Sequence, residues 1–473
     1  MRTILLLIFL CFNITARAQN TFEKVIDTLG CVIATGIQET FDGGYVFCGM
    51  SSFNGNDAMV VKLDSIGTIE WAKIYSGPGI EAATSIEQTP DSGFIVNAVY
   101  NSGLNSKNWL LKLDENGDTL WTSLYTVGPG ATNVSQGNRM ASINNAIYGF
   151  TGSYNPQSLA PVSAYFISYL SNGIPLTHKI YNTSSFGTQA NSIDKTFDGG
   201  FIIAASIGTS PSSVDFYLIR TNAYGDTIWT KTHNNSHDEG SFSVQQSSDS
   251  GFIVAGYTWN SIANVSSAYL LKTDSIGDSI WSGLYGATFS SGLYSVCPTS
   301  DGGYIATGRI VNGTPLTSDV YLLKVDAMGN TLWSKQFGDG ADDGYYVRQT
   351  KDEGYIICGK GSSPNSIKNG TYIIKTDSLG NVSTGTSIEE YSNQESFSVY
   401  PNPSDGSITI HIDRFLYESA YVEIYSTNNE CVYNCMLKDN TENINLSHLQ
   451  NGLYLIALSQ NGIISSKKIL INK

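Results

Sequence analysis

Basic residues are scarce in this chain. Its 473 residues hold 26 Lys and Arg against 41 Asp and Glu, a formal charge of −15. Nucleic-acid binding needs Lys and Arg clustered on one face to neutralise phosphate. No such cluster occurs, so no nucleic-acid partner is expected. Histidine is scarcer still, at 5, and there is no Cys-x-x-Cys pair or other metal-ligand spacing. No cofactor and no metal centre are therefore expected. Beyond the first twenty residues no stretch is long and apolar enough to span a bilayer as a helix, so no transmembrane segment is expected.

The chain opens "MRTILLLIFLCFNITARAQN". Arg2 gives a positive start, Ile4 to Phe12 an apolar run, and Ala16-Arg17-Ala18 a small-x-small cleavage site. The run is too short for a span, so residues 1–18 read as a secretory signal peptide. Cys11 lacks small residues just before it, which argues against a lipid-anchored start. Without Arg2 and Arg17, 24 basic residues face 41 acidic ones. Such a surface favours solubility and says little about fold. Six cysteines follow the leader, and Cys48 and Cys358 occupy the same place in two repeats. They read as small buried apolar residues rather than bridges.

What is abundant is glycine (47) and tyrosine (28), as suits short strands joined by tight turns. A repeat underlies this composition. Its first marker is an acidic residue, one or two glycines and an aromatic. It begins at Asp42, Asp91, Asp198, Asp249, Asp301 and Asp352, in steps of 49, 107, 51, 52 and 51 residues. The long step hides a degenerate copy near Asn144-Asn145. The second marker reads "KTDSIGDSIW" at Lys272 and recurs from Lys62, Lys112, Arg220, Lys324 and Lys375, with a degenerate form at Ser168. Each unit holds four short strands of alternating polarity. We name them A to D: the Asp-Gly-Gly turn joins A to B, and the Asp-x-x-Gly turn joins C to D. Seven such units predict an all-β fold, a seven-bladed β-propeller over residues 19–381. The last unit lacks its fourth strand, and "TFEKVIDTLG" near residue 21 fits the gap, with Phe22 at the Trp position. Closing the ring this way removes exposed sheet edges.

The repeated phrase is a turn rather than a chemical box: Gly supplies a positive φ and Asp bonds its own backbone. "DENGD" at Asp114 to Asp118 lacks the distal Glu of a calcium loop. The phrase also resembles the Asp-box of sialidases, but here Gly follows Asp by three and Trp by seven. The arginine cluster that such chemistry needs is not evident, since the propeller holds only Arg139, Arg220, Arg309 and Arg348 with no apparent convergence. The A–B and C–D turns are regular, whereas the D–A and B–C loops vary, and ligand contacts are expected on that variable face. Candidate ligand-binding residues are Trp109 and Trp259, through sugar stacking, and His233, His237, Asp238, Glu239, Asp342 and Asp343. Glu81, Glu239 and Asp342 share one repeat position, which favours loop ordering over ligation. No catalytic triad is visible, although a carboxylate pair for glycoside hydrolysis can be far apart in sequence.

Residues 382–395 are polar and without periodicity, a linker. The 78 residues from Ser396 to Lys473 alternate like short strands and predict a small Ig-like β-sandwich. This stretch resembles the type A C-terminal sorting domain of the type IX secretion system. The marks are Tyr400-Pro401-Asn402-Pro403, "VEIYS", then Leu449, Gly452, Leu453 and Tyr454, and the basic ending at Lys467-Lys468 and Lys473. Glu430 replaces the family's usual Gly, a turn-level departure. The resemblance implies passage of the inner membrane by the signal peptide and of the outer membrane through the type IX translocon. A sortase then releases the cargo or attaches it to the surface of a Gram-negative bacterium. The sorting domain is an address carried by unrelated cargoes, so it leaves the propeller's role open. The leading expectation is a non-enzymatic scaffold binding glycans or surface proteins. The alternatives are a polysaccharide-active enzyme using loop carboxylates and a structural surface-layer component.

Overall fold

The computed structural model describes residues 19–27, 30–52, 56–77, 79–101, 106–126, 139–154, 161–181, 185–210, 213–234, 237–260, 265–286, 290–312, 317–338, 340–362, 369–382, 397–412, 420–426, 431–437, 439–460 and 463–473. The signal-peptide segment, the linker after Val382 and Glu430 lie outside them. The chain divides into two compact units, 1–383 and 384–473.

The first unit consists of seven four-stranded antiparallel sheets. A lone first strand, β1 (Phe22–Ile26), precedes blade 1, which is β2 (Cys31–Glu39), β3 (Tyr45–Ser51), β4 (Asp57–Leu63) and β5 (Ile69–Tyr75). Blade 2 is β6 (Ile80–Gln88), β7 (Phe94–Asn101), β8 (Ser106–Leu113) and β9 (Thr119–Tyr125). Blade 3 is β10 (Met140–Ile143), β11 (Ile147–Tyr154), β12 (Ser163–Leu170) and β13 (Pro175–Tyr181). Blade 4 is β14 (Thr188–Lys195), β15 (Phe201–Ser210), β16 (Ser213–Thr221) and β17 (Thr227–His233). Blade 5 is β18 (Asp238–Gln246), β19 (Phe252–Asn260), β20 (Val265–Thr273) and β21 (Ser279–Tyr285). Blade 6 is β22 (Ser291–Pro298), β23 (Tyr304–Asn312), β24 (Thr317–Val325) and β25 (Thr331–Phe337). Blade 7 takes β26 (Asp343–Gln349), β27 (Tyr355–Ser362) and β28 (Asn369–Thr376), and β1 completes it, with Phe22 opposite Lys375. The ring closes as the repeat count predicts.

Burial explains the sequence pattern. The B and C strands lie between neighbouring blades and are covered on both faces, so they read as nearly continuous apolar runs, as in "DAMVVKL" of β4. The D strand forms the outer edge and alternates exposed with half-buried residues. The cores lie between blades: Val46, Cys48 and Val60 of blade 1 pack with Phe94, Val96 and Leu111 of blade 2.

Two devices recur. The D-strand aromatic rests on the next blade. Trp71, Trp229, Trp281 and Trp333 meet Phe94, Phe252, Tyr304 and Tyr355 with ring centroids 5.8–6.0 Å apart. Phe22 meets Tyr45 in the same way, at 5.8 Å. Each aromatic also covers the positive-φ glycine of the adjoining C–D turn. A Cβ at Gly329 (φ 83°) would come within 2.8 Å of the Trp281 ring, and one at Gly67 (φ 80°) within 2.7 Å of Phe22. The other device is an ion pair. Buried Lys62, Lys112, Lys272, Lys324 and Lys375 reach Asp42, Asp91, Asp249, Asp301 and Asp352 at 2.8–2.9 Å, and Arg220 reaches Asp198. These cations thus tie strand C to the A–B turn, and most also donate to the carbonyl of the next residue. The Asp caps the turn: Asp42 accepts from Thr40 Oγ1 and Gly44 N, and these with the Lys62 ammonium hold its carboxyl down at about 2 despite partial burial. Blade 3 has Ser168 in place of the cation and Asn145 in place of the acid, so both charges disappear together.

The second unit packs a three-stranded sheet, β29 (Phe397–Tyr400), β30 (Ser407–Ile412) and β33 (Thr441–Asn445), against a four-stranded one. The latter is ordered β32 (Cys431–Leu437), β31 (Ala420–Ser426), β34 (Gly452–Gln460) and β35 (Ile463–Ile471). Phe397, Ile410, Val422, Ile424, Ile456 and Ile469 share one core, as a sandwich requires. The sorting motif joins its two ends. The Asn402 amide donates to Lys468 O (2.8 Å) and accepts from Leu470 N (2.9 Å), and the peptide bonds before Pro401 and Pro403 are cis. Gly452 opens β34, and Tyr454 Oη donates to Gln450 O. Lys467 lies 5.9 Å from the Phe397 ring centroid. The five described cysteine side chains, Cys31, Cys48, Cys297, Cys358 and Cys435, are unbridged. Burial pushes the Cys48 thiol up to about 12.

Candidate functional site

The first strand of every blade lines the central channel, and there the repeat breaks down. Six of these strands carry a β-bulge at one matching position, with Thr35, Thr84, Asn191, Phe242, Tyr294 and Tyr345 as the extra residues. A bulge aims its unpaired residue away from the ladder. Blades 1, 2 and 4 present small polar groups there, whereas blades 5, 6 and 7 present aromatics. Phe242 meets Tyr294 edge-on at 5.2 Å, Tyr294 stacks on Tyr345 at 5.5 Å and 23°, and Tyr257 adjoins Phe242 at 5.5 Å. These rings form a half-buried aromatic wall on one side of the channel. Its polar edge is Asp343, which accepts from Tyr345 Oη (3.1 Å), and Arg309, whose Nε lies 3.9 Å from Asp343. Burial, reinforced by the Asp343 charge, pushes the Tyr294 phenol up to about 12.

The residue after the bulge is Gly36, Ser85, Ser192, Ser243 or Ser295 in five blades. Ser192, Ser243 and Ser295 each accept from a backbone N–H of the next blade. The other two blades carry Arg139 and Tyr346. Met140 pairs two residues past Tyr148 as Ile86 pairs two residues past Phe94, which places Arg139 level with Ser85. The two large side chains meet across the channel: the Arg139 guanidinium lies 4.7 Å from the Tyr346 centroid and donates to Tyr294 O at 2.9 Å. Arg348 lies 4.9 Å from the same ring and donates to Tyr346 Oη. The arginines that sequence alone left scattered therefore do converge in part, because the ring brings blades 3 and 7 face to face. Glu87 and Asp194 line the channel three residues past the bulge. Enclosure raises both carboxyls, Glu87 to about 7, against the pull of Lys195 and Arg348 on each.

The sequence candidates fall in different places. Asp343 belongs to the aromatic wall. Trp259 lies half-buried near the end of β19, opposite Asp238, whose carboxylate accepts from Val214 N at 3.2 Å. Trp109 packs against the core between blades 1 and 2. Glu239 and Asp342 are turned inward at 1 % and 0 % exposure, and Asp342, like Glu81, holds its own loop by accepting from a glycine N–H two residues earlier. His233 ends β17 at the place where Tyr75, Tyr181 and Tyr285 donate to the next blade's turn glycine. It faces Gly277 in the same way, and burial lowers its pKa. His237 stands just before β18, half-buried. Among the described residues, no three His, Cys, Asp or Glu side chains are placed to share a metal ion. Sequence reasoning missed Arg139, Phe242, Tyr294, Tyr345, Tyr346 and Arg348. The available signal was the break in the Ser pattern after each bulge.

Residues 398–472 match the secretion system C-terminal sorting domain. No curated protein matches the chain. Among solved structures it is similar to Sqt1 from Chaetomium thermophilum, with a TM-score of 0.42 and 9% identity over 76% of this chain and 99% of that one. It is similar to puromycin hydrolase, with a TM-score of 0.46 and 12% identity over 80% and 58%. The β-propeller domain of the Trilobed protease from Pyrococcus furiosus matches with a TM-score of 0.42 and 9% identity over 76% and 98%. Seven four-stranded sheets and the matched tail together make this chain a β-propeller protein that carries, at residues 398–472, the C-terminal sorting domain of the type IX secretion system.

Proposed function

We propose that this propeller is a non-enzymatic binding scaffold, displayed on or released from the outer surface of a Gram-negative bacterium, and that its ligand is a glycan held against the aromatic wall. The sorting domain implies secretion or surface export and engages the translocon and its sortase. The wall of Phe242, Tyr257, Tyr294 and Tyr345 is the observation that supports the binding role. Tyrosine rings give apolar faces for sugar C–H groups and a hydroxyl for sugar oxygens. They are rigid and cost little entropy to order.

The test is retention of the mature chain, residues 19–473, on a panel of immobilised polysaccharides, with released reducing ends measured in the same wells. The expected outcome is retention without release, weakened in Tyr345→Ala. Sugar release that depends on Asp343 makes the protein an enzyme instead. Silence on every polysaccharide removes the glycan reading and leaves protein ligands or self-assembly.

A further inference from the structure

We infer that the channel behind the aromatic wall is an anion subsite, so that the glycan it serves is a carboxylate-bearing one, a polyuronate. This rests on the glycan-binding reading and narrows it.

Two guanidinium groups, from blades 3 and 7, lie against one tyrosine ring inside the channel, each partly shielded from water. The deeply buried cations of the propeller each have their own carboxylate: Lys62, Lys112, Arg220, Lys272, Lys324 and Lys375 each hold the Asp of their own A–B turn. Arg139 and Arg348 are different, because among the described residues neither has a carboxylate within 4.0 Å. Arg348 still feels Glu87 and Asp194 at longer range, whereas no carboxylate acts on Arg139. A sequestered cation without a counter-ion is costly, and a protein of charge −15 had many acids that could have supplied one. Five blades place Gly or Ser at this level, so the bulk and charge are specific to two blades.

The geometry also leaves donors for a ligand. Arg139 commits Nη2 to the carbonyls of Tyr294 and Tyr345. Its other N–H groups meet no acceptor among the described residues. Guanidinium donors match a carboxylate in bidentate fashion. The carbonyls that Arg139 grips belong to two residues of the aromatic wall. A sugar ring on that wall and a carboxylate on that arginine are therefore recognised by one continuous surface. The acidic exterior repels polyanions elsewhere on the molecule, which confines binding to the channel.

The experiment compares the mature chain on four polymers at fixed ionic strength: polygalacturonate, its methyl ester, dextran sulfate and a neutral glucan. The expected result is retention of polygalacturonate about tenfold tighter than of the ester, as one lost charge-assisted contact gives. Arg139→Gln abolishes that difference. Arg139→Lys keeps the charge and loses the fork, and so reduces the difference too. A thermal melt of each variant checks folding. Equal retention of polygalacturonate and its ester overturns the anion subsite and leaves the glycan reading intact. Dextran sulfate bound as tightly as polygalacturonate overturns the carboxylate assignment. No retention of any polymer by the unmodified chain overturns both.

Discussion

The outer three strands of each blade and the inner strand obey different rules. Outside, one packing problem is solved the same way in six of the seven blades, blade 3 being the exception: a D-strand aromatic covers the neighbour's turn glycine, and a buried cation grips the Asp of the A–B turn. Inside, the same bulge presents Thr, Asn, Phe or Tyr according to the blade, and the next position switches from Ser to Arg or Tyr in two of them. Backbone geometry is repeated while side-chain chemistry is not. The repeated positions hold blade to blade, and the departures gathered on the inner strands form the surface proposed above for the ligand.

The largest expected effect breaks the outer rule at ring closure. Phe22→Ala removes a nearly buried ring from both Tyr45 and Gly67, and the lost packing is worth about 3 kcal/mol. Denaturant unfolding of the mature chain measures it. A loss no larger than that from an exposed-residue control would show that β1 does not hold the ring. Next comes Asp301→Ala, which leaves Lys324 buried beside a carbonyl and costs about 2 kcal/mol. The pair Asp301→Asn with Lys324→Ser copies blade 3, and we expect it to regain much of that loss. A double variant worse than the single one would disprove the ion-pair account. Inside the channel, Tyr345→Ala should weaken retention about tenfold, roughly 1.4 kcal/mol, while changing stability less than Phe22→Ala does. His233→Tyr restores the hydroxyl that its counterparts donate to the turn glycine, and a gain of about 0.5 kcal/mol should appear in the same unfolding assay.

The last prediction is a pH dependence. Burial raises the folded pKa of Glu87 to about 7 from an ordinary carboxylate value, against the opposing pull of Lys195 and Arg348 and with a smaller push from Asp194. The folded state then holds more protons than the unfolded one between about 4.5 and 7, so this group's contribution is present at low pH and fades as pH rises through 7. Glu87→Gln should flatten that part of the stability profile. An unchanged slope would mean that the carboxyl titrates normally.

The seven blades, the closing strand with Phe22 and the sorting tail were all legible in the sequence, because each depends on local alternation and turn residues. His233 could have been read from its register, four residues after Trp229 as Tyr285 is after Trp281. The ion pair was half visible: each cation was noted as part of a marker, but its Asp lies 20–23 residues earlier, and only the folded sheet joins them. The channel cluster was hidden. Glu87, Arg139, Asp194 and Arg348 come from four blades, and no local pattern ties them together until the ring closes.

That closing strand has a consequence for how the molecule forms. Phe22 pairs with Lys375, so the last sheet joins segments separated by 353 positions in sequence. Bringing such distant ends together costs on the order of 5 kcal/mol in chain entropy before the first contact is made. The other blades are built from neighbours in sequence and can form as each segment becomes available. Blade 7 must wait for both ends of the array, leaving β28 with an unpaired edge in the interval. Completion is therefore a single late event, and any factor that shields that open edge would set the yield of folded protein.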